Sequence, residues 1–236
     1  MNALAALTEA TWPPFARQPL GRWTIRDGRG GGQRVSAATR VGDAVPEAGE
    51  IETAEAAMAA LGQAPLFQVW PDQPALDAAL EARGYRRHDP VMALAAPVAA
   101  LADPDLPLLA AFAHWPPLGI ASALWEEAGI GPARQAVMAR VTGPKTAILG
   151  RTGDRAAGVA FVALSGRAAM LHALEVTPAL RRQGTAHNIL RAAANWAQEN
   201  GADSLTVLVT EANTAARHLY AFMNMQPVGQ YHYRVK

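Results

Sequence analysis

The hexapeptide Arg181-Arg182-Gln183-Gly184-Thr185-Ala186 carries the residue types that receive a phosphate. An apolar run over residues 168–176 precedes it, Thr177-Pro178 breaks that run, and an amphipathic run over 186–200 follows. The order predicts a strand, a short loop and a helix start. A helix's first turn leaves its N–H groups unpaired and gathers partial positive charge there. A diphosphate answers both. Gly184, lacking a Cβ, lets such a ligand approach the backbone. The backbone N–H groups of Arg182, Gln183, Gly184, Thr185 and Ala186 are the expected donors. Arg181 and Arg182 add side-chain charge, and Thr185 adds a hydroxyl. Read alone, Arg-Arg-Gln-Gly also suits a solvated loop, and His187 suits either a ligand contact or a surface histidine.

The elements downstream sharpen this reading. A turn at 201–204, a strand at 205–209, a helix over 213–220 and a closing strand over 231–235 follow in order. The chain here resembles the GCN5-related N-acetyltransferase superfamily. Arg181, Gly184 and Ala186 fit that family's Gln/Arg-x-x-Gly-x-Gly/Ala signature. Asn213, Ala216, Leu219 and Tyr220 fit its second block, Asn-x-x-Ala-x-x-Leu-Tyr-x-x-x-Gly-Phe. Asn224-Met225 replaces the terminal Gly-Phe, a mild departure because asparagine tolerates the left-handed conformation that ends a helix. The resemblance covers residues 145–236. It implies an α+β fold, a mixed and mostly antiparallel sheet flanked by helices. It further implies acetyl-CoA as cosubstrate and transfer of its acetyl group to a primary amine.

The resemblance also implies roles. Backbone groups of Leu174 and Val176 would bond the pantetheine arm where their strand splays from residues 205–209. Asn213 would touch the cofactor, and it equally suits a helix N-cap. Tyr220 would protonate the leaving thiolate, since a phenol of ordinary pKa stays protonated at neutral pH. Its spacing also suits a core tyrosine. Glu175 is the candidate general base, directly or through water, and reads equally as a solvated strand carboxylate. Period-two alternation sets it opposite Leu174 and Val176. His172, earlier in the same strand, is the fallback. A non-catalytic acyl-CoA-binding or scaffold protein is the alternative function.

Composition removes other classes. There is no cysteine, so disulfides and thiolate chemistry are excluded. A net charge of +1 argues against a nucleic-acid footprint. Six dispersed histidines lack paired ligand spacing, so no metal site is expected. Residues 1–9 make a poor secretory leader. The apolar stretch 91–115 is broken by Pro97, Asp103, Pro104, Asp105 and Pro107, too interrupted to span a bilayer. The expectation is a cytoplasmic protein without membrane or nucleic-acid partners, monomeric or homodimeric, acting on a small-molecule or peptide amine.

Two domains are expected, 1–100 and 101–236, with the break between Pro97 and Pro107. In the first, strands at 22–26 and 33–41 flank a glycine-rich turn, Asp27-Gly28-Arg29-Gly30-Gly31-Gly32. A helix at 51–61, a strand at 66–70, a helix at 74–83 and a strand at 88–95 follow. This repeats the downstream order, and Leu80-Glu81-Ala82-Arg83-Gly84-Tyr85 looks like the end of the second block. The phosphate signature is missing there. A degenerate acetyltransferase-like half before a competent one is the reading, with an unrelated α+β domain as the alternative. Residues 107–144 should be mainly helical, over 118–128 and 132–141. Trp115, Trp125 and Met138 in that segment suit a cleft lining or a core.

Overall fold

Continuous apolar runs become strands buried on both faces, and amphipathic runs become the helices that bury them. The computed structural model describes residues 3–236; Met1 and Asn2, the start of the stretch read as a poor leader, lie outside the described residues. The first half runs α1 (Ala3–Thr11), β1 (Ala16–Leu20), β2 (Trp23–Asp27), α2 (Gln33–Ser36), β3 (Thr39–Arg40), α3 (Glu50–Ala60), β4 (Leu66–Val69), α4 (Pro74–Glu81) and β5 (Arg86–Pro97). The second runs α5 (Val98–Leu101), β6 (Ala111–His114), α6 (Gly119–Glu127), α7 (Pro132–Arg140), β7 (Lys145–Thr152), β8 (Arg155–Ser165), β9 (Ala168–Val176), α8 (Thr185–Glu199), β10 (Ser204–Thr210), α9 (Thr214–Phe222) and β11 (Gln226–Val235).

Among the described residues, eight strands form one sheet in the order β4-β11-β5-β10-β9-β8-β7-β6. It is antiparallel except for the β9–β10 pair. This is the expected α+β architecture. The last strands of the two halves are exchanged: β5 pairs with β10, and β11 lies between β4 and β5. The sheet therefore runs unbroken across the boundary expected between Pro97 and Pro107. A smaller sheet, β1-β2-β3, touches it through the bridge of Ala38 with Phe67.

Two expectations need correction. Residues 33–41 are not one strand, because the glycine-rich turn leads straight into the single helical turn α2 before β3. Residues 107–144 are not helical throughout, because 111–114 pair with β7 as the edge strand β6.

The repeat between halves is visible in how helices end. At the end of α9, Asn224 adopts φ +56° and Met225 N donates to Tyr220 O at 3.0 Å. At the end of α4, Gly84 adopts φ +83° and Tyr85 N donates to Leu80 O at 3.1 Å. Both are left-handed caps. The departure at Asn224 thus preserves the geometry.

One helix positions the phosphate-type loop. Ile189, Ala193 and Ala197, with Leu190 and Ala194, put the buried face of α8 at helical spacing against β6, β7, β8 and β9. Ile189 and Leu190 are fully buried, each contributing about 2 kcal/mol. The start of α8 sits especially low on the sheet. A Cβ at Gly150 would meet Ile189 Cγ1 at 2.6 Å and Thr185 Cγ2 at 2.9 Å, and one at Gly158 would meet Ile189 Cδ1 at 3.1 Å. Glycine at both strand positions seats the first turn. On the opposite face α1 and α6 cover β8 and β9.

Candidate active site

A β-bulge decides which groups face the site. Val159 pairs with Glu175 and Phe161 with His172, so residues 173 and 174 stand opposite Ala160 alone. Ala173 takes φ +53°, and its carbonyl accepts from Trp125 Nε1 at 2.9 Å. Trp125 is fully buried, as is Met138. Both are core residues, and Trp125 also pins the bulge. Three steps along a regular strand would put His172 and Glu175 on opposite faces. The extra residue brings both onto the face that α1 covers.

Beyond the bulge, β9 and β10 part. Their parallel pairing runs from Ser204↔Ala168 to Val207↔Leu171 and stops. The opening lies in a cavity of about 370 Å³ whose walls include Leu174, Glu175, Thr210, Asn213, Ala216 and Tyr220. Tyr220 is buried. Burial and the nearby Glu175 carboxylate push its phenol well above the ordinary pKa. Glu175 is half-buried, and desolvation raises its pKa although Arg181 and Arg134 pull it down. A carboxyl whose pKa is raised and a phenol that keeps its proton thus line one opening.

At the other end of β9 the chain crosses the loop into α8. Gly184 is the N-cap residue at φ +84°, no side chain caps the helix, and Asn188 N donates to Gly184 O at 3.0 Å. Arg182 is also left-handed, at φ +62°. Left-handed residues at alternate positions, with Gln183 between them, turn successive N–H groups to one side, the geometry of an anion nest. Nothing lies within 4 Å of the position a Gly184 Cβ would take. The loop fits a diphosphate: open in front, with donors unclaimed by side chains.

Two side chains in the loop differ from expectation. The Thr185 hydroxyl does not face outward; it is buried against the Thr152 hydroxyl at 2.6 Å, leaving only the Thr185 amide for a ligand. Arg181 turns back, Nε donating to Val176 O at 3.0 Å, and so ties the loop to the end of β9. Arg182 and Gln183 are exposed. Asn213 caps α9, its Oδ1 accepting from Ala216 N at 3.1 Å, while it also lines the opening.

The first half holds a counterpart whose first turn is acidic. Gly49, at φ +80°, is the N-cap residue of α3, and Thr53 N donates to Gly49 O just as Asn188 does to Gly184. There the Glu50 carboxylate accepts from Glu47 N at 2.9 Å and pairs with Arg40 at 2.7 and 3.0 Å. Bonding to Arg40 holds its pKa down despite partial burial, so the first turn of α3 carries a fixed anion of the chain's own. Glu52 adds a second negative charge in the first turn.

This half nevertheless reaches the cleft, through residues that reading the turn as a hairpin passed over. Gly31 tucks beneath α7, where a Cβ would meet Val137 Cγ2 at 2.7 Å, and α2 then places Arg34 in the cavity wall. Arg34 Nη1 donates to His172 Nδ1 at 3.0 Å. The other ring nitrogen of His172 therefore carries the proton and donates to Thr11 Oγ1 at 2.9 Å. His172 is buried, and burial plus the Arg34 cation hold its pKa well below the ordinary value. Both nitrogens of the fallback base are thus already engaged within the chain. The signal available in the sequence was the helix start at Gln33 after three glycines.

No group of three or more His, Asp or Glu side chains among the described residues is arranged to hold a metal. No helix among them is long and apolar enough to cross a membrane.

Comparison with known proteins bears on the same span. The Acetyltransferase (GNAT) family model matches residues 135–225, which contain Glu175, the 181–186 loop, Asn213 and Tyr220. An uncharacterized N-acetyltransferase, YobR, of Bacillus subtilis (strain 168) is 23% identical over 100% of this chain and 98% of its own. A GCN5-related N-acetyltransferase structure from Kribbella flavida superposes with a TM-score of 0.71 at 17% identity, covering 98% of this chain and 93% of that one. A tandem GNAT protein from the clavulanic acid biosynthesis pathway superposes at 0.59 and 17% identity, covering 84% and 74%. At these identities the solved structures speak for the fold.

Proposed function

Because this chain belongs to the GNAT superfamily of acyltransferases, we propose that it transfers an acetyl group from acetyl-CoA to a primary amine of a small molecule or peptide. The observation that carries the reading is the parting of β9 from β10 after Leu171 and Val207, between the start of α8 and the Glu175–Tyr220 pair.

Bound acetyl-CoA supplies the thioester whose acyl carbon the amine attacks. The main-chain N–H groups of residues 182–186 receive its diphosphate. Freed of strand partners on the β10 side, Leu174 offers its backbone groups to the pantetheine arm and Val176 its N–H, the Val176 carbonyl being held by Arg181, and aligned donors there stabilise negative charge on the acyl oxygen. Glu175 takes a proton from the amine, directly or through one water. Tyr220 gives its proton to the departing sulfur. The pairing of these two groups favours catalysis over passive acyl-CoA binding. Acetyl-CoA is the only cofactor in this reading, with no metal, and the setting proposed is cytoplasmic, as monomer or homodimer.

Initial-rate acetylation across an amine panel tests the proposal. Glu175 must be ionised to act, so kcat should fall as pH drops through its raised pKa, above the ordinary carboxylate range. Glu175→Gln should remove this acid limb and lower kcat on the order of 100-fold. An unchanged profile in the variant would take Glu175 out of the chemistry.

A further inference from the structure

Arg34 is a charged side chain in the cleft that the acetyl-transfer chemistry leaves unused. Its guanidinium donates to His172 Nδ1, its Nε is buried without a hydrogen-bond partner, and among the described residues no carboxylate ion-pairs with it. Its neighbours are the hydroxyls of the buried Tyr231 and Tyr233. A half-buried cation without a carboxylate partner is costly, and a buried donor atom without an acceptor calls for a partner. A second guanidinium stands at the rim: Arg134 Nε lies 3.1 Å from where a Gly32 Cβ would sit, and Arg134 likewise has no carboxylate partner. The cleft's acids are accounted for otherwise, since Asp89 pairs with His88 at 3.2 Å and Glu175 faces Tyr220.

We propose that Arg34 is a specificity-determining residue that receives a carboxylate of the acceptor, so that the amine substrate is an amino acid or a close relative. The inference rests on the acetyl-transfer reading of the same cleft. The planar fork of arginine matches a carboxylate with two parallel hydrogen bonds, and the free Nε is one edge of that fork. Arg34 is held at His172, three residues before Glu175, and three strand steps span at most roughly 10 Å. An amino acid of ordinary length bridges that distance, its carboxylate at Arg34 and its amine at Glu175. The first half of the chain thereby acts as the acceptor-recognition module of the second. His172 orients Arg34 in this arrangement, and Thr11 of α1 orients His172.

The test measures binding apart from turnover. With coenzyme A saturating, common L-amino acids and their carboxamides are titrated in matched pairs into the full chain by calorimetry. For at least one pair the acid should bind ten-fold or more tighter than its amide. Arg34→Gln should abolish the difference, and Arg34→Lys should keep part of it. Coenzyme A affinity reports that each variant is folded. Equal binding of acid and amide, no binding of either, or a preference that survives Arg34→Gln would overturn the proposal. Acetyl-CoA turnover separates the two readings. Acid-selective binding without acetylation leaves the carboxylate site and removes the chemistry; acetylation of acids and amides alike does the reverse.

Discussion

Tyr220→Phe should lower kcat on the order of 100-fold while leaving acetyl-CoA affinity unchanged. The hydroxyl is the one atom removed, and the ring keeps its buried place under α9. Burial and the Glu175 charge raise the phenol's pKa, so it remains a donor throughout the neutral range. The loss should therefore not depend on pH between roughly 6 and 9, unlike that of Glu175→Gln, which removes a titrating group. A small ancillary effect is expected on stability, because the phenol is packed with few polar neighbours. Initial rates and a cofactor titration on the same preparation check both halves. A variant that turns over at the parental rate would leave Tyr220 as a core residue only.

Gly184→Ala should weaken acetyl-CoA binding on the order of 100-fold. Two effects compete, and they can be told apart. The left-handed φ of +84° makes any Cβ cost about 1 kcal/mol, which lowers Tm by roughly 2–4 °C in a chain of this size. That strain is present with and without ligand and so cancels from the affinity. The second effect does not cancel. The new methyl meets no protein atom within 4 Å, and in the proposed reading it enters the space that the diphosphate would take. Charge-assisted hydrogen bonds are worth about 1.5–3 kcal/mol each, and loss of one or two accounts for the predicted factor. Gly49→Ala is the matched control. Its φ of +80° and open surroundings impose the same strain, but Glu50 and Glu52 make that first turn acidic and hostile to a diphosphate. It should lose stability alone. Equal affinity losses in both variants would mean that strain, not ligand contact, is being read.

The strand–loop–helix of residues 168–199 was legible because its signals are local: apolar run, proline, arginines, glycine, amphipathic run. The left-handed cap at Asn224 was legible for the same reason. The exchange of β5 and β11 was not, since each partner lies more than a hundred residues away in sequence and both strands look like ordinary closing strands. Nor was the bulge at Ala173, because alanine gives no hint of a positive φ; there the conformation is imposed by Trp125 from a distant helix. That bulge, and not period-two alternation over three residues, is what puts His172 and Glu175 on one face. Thr185 shows a subtler limit. Its amide and its hydroxyl point to different places, and only the close approach allowed by Gly150 explains why the hydroxyl turns inward. Arg34 went unread because three glycines before it suggested a hairpin, whereas they fold the chain beneath α7 and deliver a guanidinium into the cleft.

Amide hydrogen exchange with and without saturating acetyl-CoA tests the cofactor site most directly. The account predicts slowed exchange confined to residues 182–187 and to the facing edges of β9 and β10 at 174–176 and 208–210, with no change over 43–50. Unaltered exchange at 182–187 under saturation, or protection centred on the Gly49 loop instead, would contradict it.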